Sequence, residues 1–237
     1  MSKILKFLYG PIRPILKKIL LDCYIESIAK NINLELGRHA LRATAHYVAA
    51  RMSMARSYAR KFDLYDDVIS RAPVTGLWLE FGVYTGETIN YIAGRASSVI
   101  YGFDSFEGLP ENWRDGFPKG HFSLGRLPTV KGNVELVTGW FDETLPNFLS
   151  EHPGPISFLH IDCDLYSSTK VVFDLCQDRI VPGTIIVFDE YFNYPGWEEG
   201  EFKAFQEFVS IQNLEYEYIG YVFNHEQVAI CIVGKES

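Results

Sequence analysis

Beyond residue 76 this chain keeps returning to one pattern, a strand-length apolar run followed by a helix-length amphipathic segment. The runs fall at 77–81, 99–103, 134–137, 156–161 and 184–188. Runs that are apolar throughout suit strands covered on both faces, and the helix-length spacers supply the crossovers that parallel strands require. A mostly parallel α/β sheet is therefore expected. The last stretch departs from the pattern: 215–222 and 227–233 are β-rich, and only Phe223-Asn-His-Glu226 separates them, so they are expected to pair as an antiparallel hairpin. Ahead of residue 76 the texture is helical. From Tyr24 to about Ser70, residues such as Leu34, Leu41, Tyr47 and Val48 recur at helical spacing, with no proline until Pro73. Two regions follow, a helical lid or oligomerisation region at 1–75 and an α/β domain at 76–237.

At 237 residues and 47% hydrophobic content, the chain can bury the core of one such domain with an appendage. Its formal charge of -8 is uneven: residues 1–76 hold 13 Lys and Arg against 6 Asp and Glu, the remainder 9 against 24. An acidic main domain argues against nucleic acid as a partner. Cys23, Cys163, Cys176 and Cys231 form neither a C-x-x-C pair nor a disulfide scaffold, which suits a reducing cytoplasm. No apolar run approaches the ~20 residues of a membrane span. Pro11, Arg13, Pro14, Lys17 and Lys18 interrupt what would be the core of a secretory signal, so a cytoplasmic location is expected.

The first of the apolar runs leads into Glu80-Phe-Gly-Val-Tyr-Thr-Gly86, spaced E-x-G-x-x-x-G. Glycines at a strand-to-helix turn let the backbone bend sharply and approach a ligand. A dinucleotide loop would read G-x-G-x-x-G and bind pyrophosphate, which the acidic Glu80 would repel. A carboxylate there suits a cation, such as the amino group of a methionine-derived cofactor. The next run ends at Asp104, placed to accept hydrogen bonds from ribose hydroxyls. Loop and acid together point to a nucleoside-type cofactor. Gly139-Trp-Phe-Asp142, after the third run, offers an adenine wall or simply core aromatics.

The fourth and fifth runs end in paired carboxylates, Asp162 with Asp164 and Asp189 with Glu190. Residues i and i+2 of a strand share a face, and ligands of such sheets sit outside the carboxyl ends of the strands, so these acids should converge on one crevice. Buried acids in that number call for a cation and a proton acceptor, and oxygen ligands favour Mg²⁺, Ca²⁺ or Mn²⁺. The competing reading is helix capping, for Asp164 above all. Alternation turns Cys163 away from its acidic neighbours, as a packing residue. Tyr191, Tyr194 and Trp197 follow as either an aromatic wall for a sugar or an aromatic-rich packed loop.

Five segments in order, Glu80–Gly86, Tyr101-Gly-Phe-Asp-Ser-Phe-Glu-Gly-Leu-Pro110, Gly139-Trp-Phe-Asp-Glu-Thr-Leu145, His160-Ile-Asp-Cys-Asp-Leu-Tyr-Ser-Ser-Thr169 and Pro182-Gly-Thr-Ile-Ile-Val-Phe-Asp-Glu-Tyr191, closely resemble the motifs of the macrocin O-methyltransferase family. The resemblance covers roughly residues 50–210. It implies a Rossmann-like class I methyltransferase fold with a seven-stranded sheet, and transfer of a methyl group from S-adenosylmethionine to a hydroxyl of a sugar or related natural product. It implies that Asp162, Asp189 and Glu190 bind a divalent metal, usually Mg²⁺, and that Asp164 is the general base. Glu190 departs from the two aspartates usual at the second pair. The resemblance further implies that Glu80, Gly82, Val83, Tyr84, Thr85, Gly86, Asp104, Ser105, Gly139 and Trp140 surround the cofactor, and that a helical segment at Ser53 and Met54 closes over it.

Two other functions compete: a catechol-type methyltransferase acting on phenolic diols, and a non-catalytic protein of the same fold that docks on a partner or membrane. The last rests on Lys3, Lys6, Arg13, Lys17 and Lys18 lying among Ile4, Leu5, Phe7, Leu8, Ile15, Leu16, Ile19, Leu20 and Leu21. Such a basic amphipathic segment suits weak contact with an anionic membrane surface or, in preference, a lid or subunit contact in a homo-oligomer.

Overall fold

A computed structural model describes residues 14–22, 24–73 and 75–235 of the chain. Every expected strand is present, and alternation of their side chains builds the two faces of one sheet. β1 (Arg56–Tyr58), β2 (Leu77–Phe81), β3 (Ile100–Asp104), β4 (Val134–Thr138), β5 (Ile156–Ile161), β6 (Ile180–Phe188), β7 (Leu214–Val222) and β8 (Val228–Lys235) lie in the order β1-β7-β8-β6-β5-β2-β3-β4. Pairing is parallel except where β8 runs against β6 and β7. The seven strands implied by the resemblance are joined by an eighth. β1 is a three-residue strand that lies inside the region read as helical and pairs with β7 through Arg56, Ser57 and Tyr58.

The helices α1 (Ile32–Arg51), α2 (Lys61–Arg71), α3 (Glu87–Ala93), α4 (Phe141–Glu151), α5 (Tyr166–Cys176) and α6 (Glu201–Gln212) cover both faces. On one side Leu79, Leu159 and Ile186 pack with Leu145 of α4, Val172 and Phe173 of α5 and Phe205 of α6. On the other their strand neighbours Trp78, Phe158 and Ile185 pack with Leu64 and Val68 of α2 and Ile89 of α3. Period-two burial therefore produces two cores, which is why no polar face interrupts the strands.

Residues 14–22 are helical, and Ile25–Ala29 forms a π-helical turn before α1. Ile15, Leu16, Ile19, Leu20 and Leu21 of this segment are exposed. The remainder of the basic amphipathic segment, residues 1–13, lies outside the described residues. Among the described residues no helix is long and apolar enough to cross a membrane.

Candidate active site

The chain leaves β2 for β3 and β4 on one side and returns to β5 on the other, so the sheet reverses direction between β2 and β5. A crevice opens there, outside the carboxyl ends of the strands. In this chain it is a cavity of about 590 Å³, within the range of small-molecule sites. Gly82, Val83, Tyr84, Thr85, Asp104, Ser105, Trp140, Asp162, Asp164, Asp189 and Glu190 line it. Most of the residues singled out in the sequence are thereby brought to one place.

Gly82 explains how the glycine loop reaches it. Its φ is +91°, and a Cβ at this position would meet the backbone oxygen of Asp162 at 1.7 Å, so only glycine lets the loop cross the end of β5. The loop is then fastened to β3: Asp104 Oδ2 accepts the N–H groups of Val83 and Tyr84 at 2.9 and 2.8 Å, and Oδ1 accepts that of Phe106 at 2.7 Å. Asp104, expected to face a ribose, has both carboxylate oxygens on backbone amides and sets the shape of the surrounding wall. Gly86, with φ +80°, sits at the start of α3 rather than on the wall, and Gly139, with φ +139°, packs against Thr144 beside Trp140.

Two expectations are corrected by these placements. Ser53 and Met54 belong to a turn after α1 and not to a helix, and Met54 is 94% exposed; neither reaches the cavity, because α1 ends at Arg51. Glu80 does not face the cavity either. Its place in β2 directs the side chain to the face covered by α2, where it is 1% exposed and its Oε2 lies 3.2 Å from His160 Nδ1. The other ring nitrogen, Nε2, lies 2.9 Å from the Tyr65 hydroxyl, which donates at 2.9 Å to Asp189 Oδ1. Glu80, His160 and Tyr65 thus form a buried file of polar groups that ends on a cavity carboxylate. His160 Nε2 is engaged by Tyr65, while Nδ1 faces the Glu80 carboxylate without a hydrogen bond to it.

Asp162, Asp164 and Glu190 each offer an oxygen within 4.8 Å of the others. Asp189 falls in a neighbouring group with Asp162 and His160, its Oδ1 holding Tyr65 and its Oδ2 the Gln227 amide at 3.1 Å. The expected set of Asp162, Asp189 and Glu190 therefore straddles two groups that share Asp162. Burial, reinforced by the neighbouring carboxylates Asp189 and Asp164, pushes the carboxyl groups of Asp162 and Glu190 far above their ordinary values. Asp189 is the contrast: burial opposes its charge, but Lys61, His160 and the hydrogen bonds from Tyr65 and Gln227 outweigh it and hold the carboxyl below its usual value. Glu190 Oε2 is buried without a hydrogen-bond partner. An orphaned carboxylate oxygen among acids that raise one another fits an oxygen-loving divalent cation.

Asp164 is 8% exposed and lines the cavity. Capping is not its role, since the N-cap of α5 is Leu165 and no side chain caps that helix. Burial pushes its carboxyl up to about 7, against the opposing pull of Arg114. Cys163, as expected, is buried, with Sγ 3.4 Å from Thr169 Oγ1. Tyr191, Tyr194 and Trp197 are buried too, and Tyr191 and Trp197 stack edge-on with Phe202, which is the packed-loop reading.

Several residues on or behind the wall carried no sequence signal. Trp113, Phe117 and Phe122 form an aromatic side of the cavity from the segment after β3. Arg114, 3.9 Å over the Trp113 ring, donates to both carboxylate oxygens of Glu226 at 3.2 Å and so joins this segment to the hairpin turn. Lys61 of α2 also lines the cavity. Behind the wall, the carboxylate of Glu201 is fully buried.

Comparison with known proteins gives a consistent result. The family described as a methyltransferase domain matches residues 79–191. Among curated proteins the chain is similar to the 8-demethyl-8-(2,3-dimethoxy-alpha-L-rhamnosyl)-tetracenomycin-C 4'-O-methyltransferase of Streptomyces olivaceus, with 24% identity over 143 residues that cover 50% of this chain and 54% of that one. The chain thus matches about half the length of that relative. Among solved structures it is similar to CalS11, a calicheamicin methyltransferase, with a TM-score of 0.56 at 20% identity over 86% of this chain and 94% of that one. It is also similar to the O-methyltransferase NovP, with a TM-score of 0.56 at 17% identity over 74% of this chain and 80% of that one. These two structures share its fold.

Proposed function

We propose that this chain transfers the methyl group of S-adenosylmethionine to a hydroxyl of a sugar or glycosylated natural product, aided by a divalent cation, a reading supported by the match of residues 79–191 to the methyltransferase-domain family. The observation that carries the reading is a single cavity in which the glycine loop and Asp104 meet four carboxylates from β5 and β6. The printed activity of the Streptomyces olivaceus relative, methylation of a rhamnosyl tetracenomycin, supports the class of acceptor.

When bound, S-adenosylmethionine would supply an electrophilic methyl on a sulfonium. Gly82 to Thr85, Asp104 and Ser105 are the residues to hold its nucleoside end, with Trp140 at its side. The aromatic side formed by Trp113, Phe117 and Phe122 keeps water from the reacting atoms. Asp164 takes the hydroxyl proton as the new carbon–oxygen bond forms and the carbon–sulfur bond breaks, a task suited to a carboxyl whose proton affinity is near neutrality. Asp162, Glu190 and Asp189, drawn from the two groups that share Asp162, would hold the cation, whose chemistry there would be to align acceptor hydroxyls and ease their deprotonation.

Calorimetry with S-adenosylmethionine, followed by transfer assays against glycosides and phenols with Mg²⁺ and with a chelator, tests the proposal. Cofactor binding and Mg²⁺-dependent methylation of glycosides are expected. No binding would overturn it, and methylation of catechols with refusal of glycosides would replace it by the catechol-type activity.

A further inference from the structure

Glu201 opens α6 directly after Gly200 and is fully buried, yet it does not line the cavity. Its carboxylate turns away from its own helix, whose first turn has no side-chain cap. Oε1 accepts the backbone N–H groups of Cys163 at 3.4 Å and Asp164 at 3.2 Å, while Oε2 accepts that of Glu190 at 3.4 Å. One side chain thus ties together the two loops that carry the site's acids. What it holds on the first loop is unusual. Asp164 has φ +64°, and the Leu165 N–H bonds back to the Cys163 carbonyl at 2.6 Å, which closes a γ-turn with a left-handed residue at its centre. Such turns are rare and strained, and persist only where the surroundings over-determine them. A buried carboxylate is itself costly among other acids, and burial together with Asp164 and Asp189 pushes its carboxyl far above the ordinary value.

We infer that Glu201 is a positioning residue, a clamp that holds the strained Asp164 turn in register with Glu190 and so aims the base at the acceptor. This rests on Asp164 being the base. Glu201→Gln keeps the volume but puts an N–H donor where one set of amides needs an acceptor. Three measurements on the full chain are expected to move together. Hydrogen exchange at the Cys163, Asp164 and Glu190 amides accelerates by ~10-fold or more, with the strand amides unchanged. Turnover falls by ~10²-fold, the scale of a misplacement of about 1 Å, while affinity for S-adenosylmethionine stays within ~3-fold. In an Asp164→Asn background the same change costs less than ~3-fold more, because residues acting as a unit are not additive. Glu201→Asp, which keeps the charge but loses reach, is expected to behave like Glu201→Gln.

Unchanged exchange at the three amides would overturn the clamp, and this arm needs neither donor nor acceptor. Full additivity with Asp164→Asn, or full activity in Glu201→Asp, would also overturn it. A silent Asp164→Asn beside an impaired Glu201→Gln would instead remove the base assignment and, with it, the route by which Glu201 acts.

Discussion

Asp164 sits in a left-handed backbone conformation at the edge of a cavity, a costly placement for a residue other than glycine. Asp164→Asn is expected to bind S-adenosylmethionine as before and to lose turnover by ~10²-fold or more, the scale of a general base; undiminished turnover in single-turnover assays would remove the role. At this scale the sequence was informative where geometry is local. The convergence of Asp162, Asp164, Asp189 and Glu190 could be read because the crevice rule fixes where strand ends point, although β5 ends at Ile161 and a γ-turn rather than i, i+2 alternation sets Asp164. Glu80 was misread because its strand partner, not its own position in the loop, decides its neighbour: β2 pairs with β5 in a register that sets Glu80 beside His160. Alternation held a usable hint, since Glu80 shares the parity of Trp78, which packs under α2. Glu201 gave no hint at all. An acid in the first turn of a helix is ordinary, and only the fold brings the backbone amides of Cys163, Asp164 and Glu190 to it.

Among the elements, β2 and the turn after it carry the tightest constraint. Gly82→Ala must displace either the loop or the backbone of Asp162, so a loss of about 4 kcal/mol or more in urea unfolding is expected. α2 shows how an element read as part of a lid is built into the core instead: Leu64, Tyr65 and Val68 are fully buried under the sheet. Leu64→Ala is accordingly expected to cost about 2–5 kcal/mol by the same measurement, whereas an appended helix would tolerate it. The long strands were legible because each is a continuous apolar run. β1 was not, because three residues make no pattern and its only credential is a pairing with β7 more than 160 positions later, Arg56 with Gly220.

For the whole molecule, one cavity bounded by Asp104 of β3 and by the loops that follow β2, β3, β5 and β6 means that one ligand touches segments far apart in sequence. Saturating donor at ~100 times its Kd adds about 2.7 kcal/mol to stability. In a chain of this size that is a rise in Tm of roughly 5–10 °C. A thermal melt with S-adenosylhomocysteine checks it, and no shift would count against the cavity as the donor's site. The sheet order has another consequence, for the nascent chain. β8 lies between β6 and β7, with Val228, Ala229, Ile230 and Ile232 fully buried. While the polypeptide is still emerging from the ribosome, β6 therefore presents an unpaired edge, and β7 with its partner β1 has no edge of the main sheet to join. Assembly of the sheet must wait until about residue 235 is free of the exit tunnel, so the molecule has to complete its fold after translation of that segment and not progressively during it.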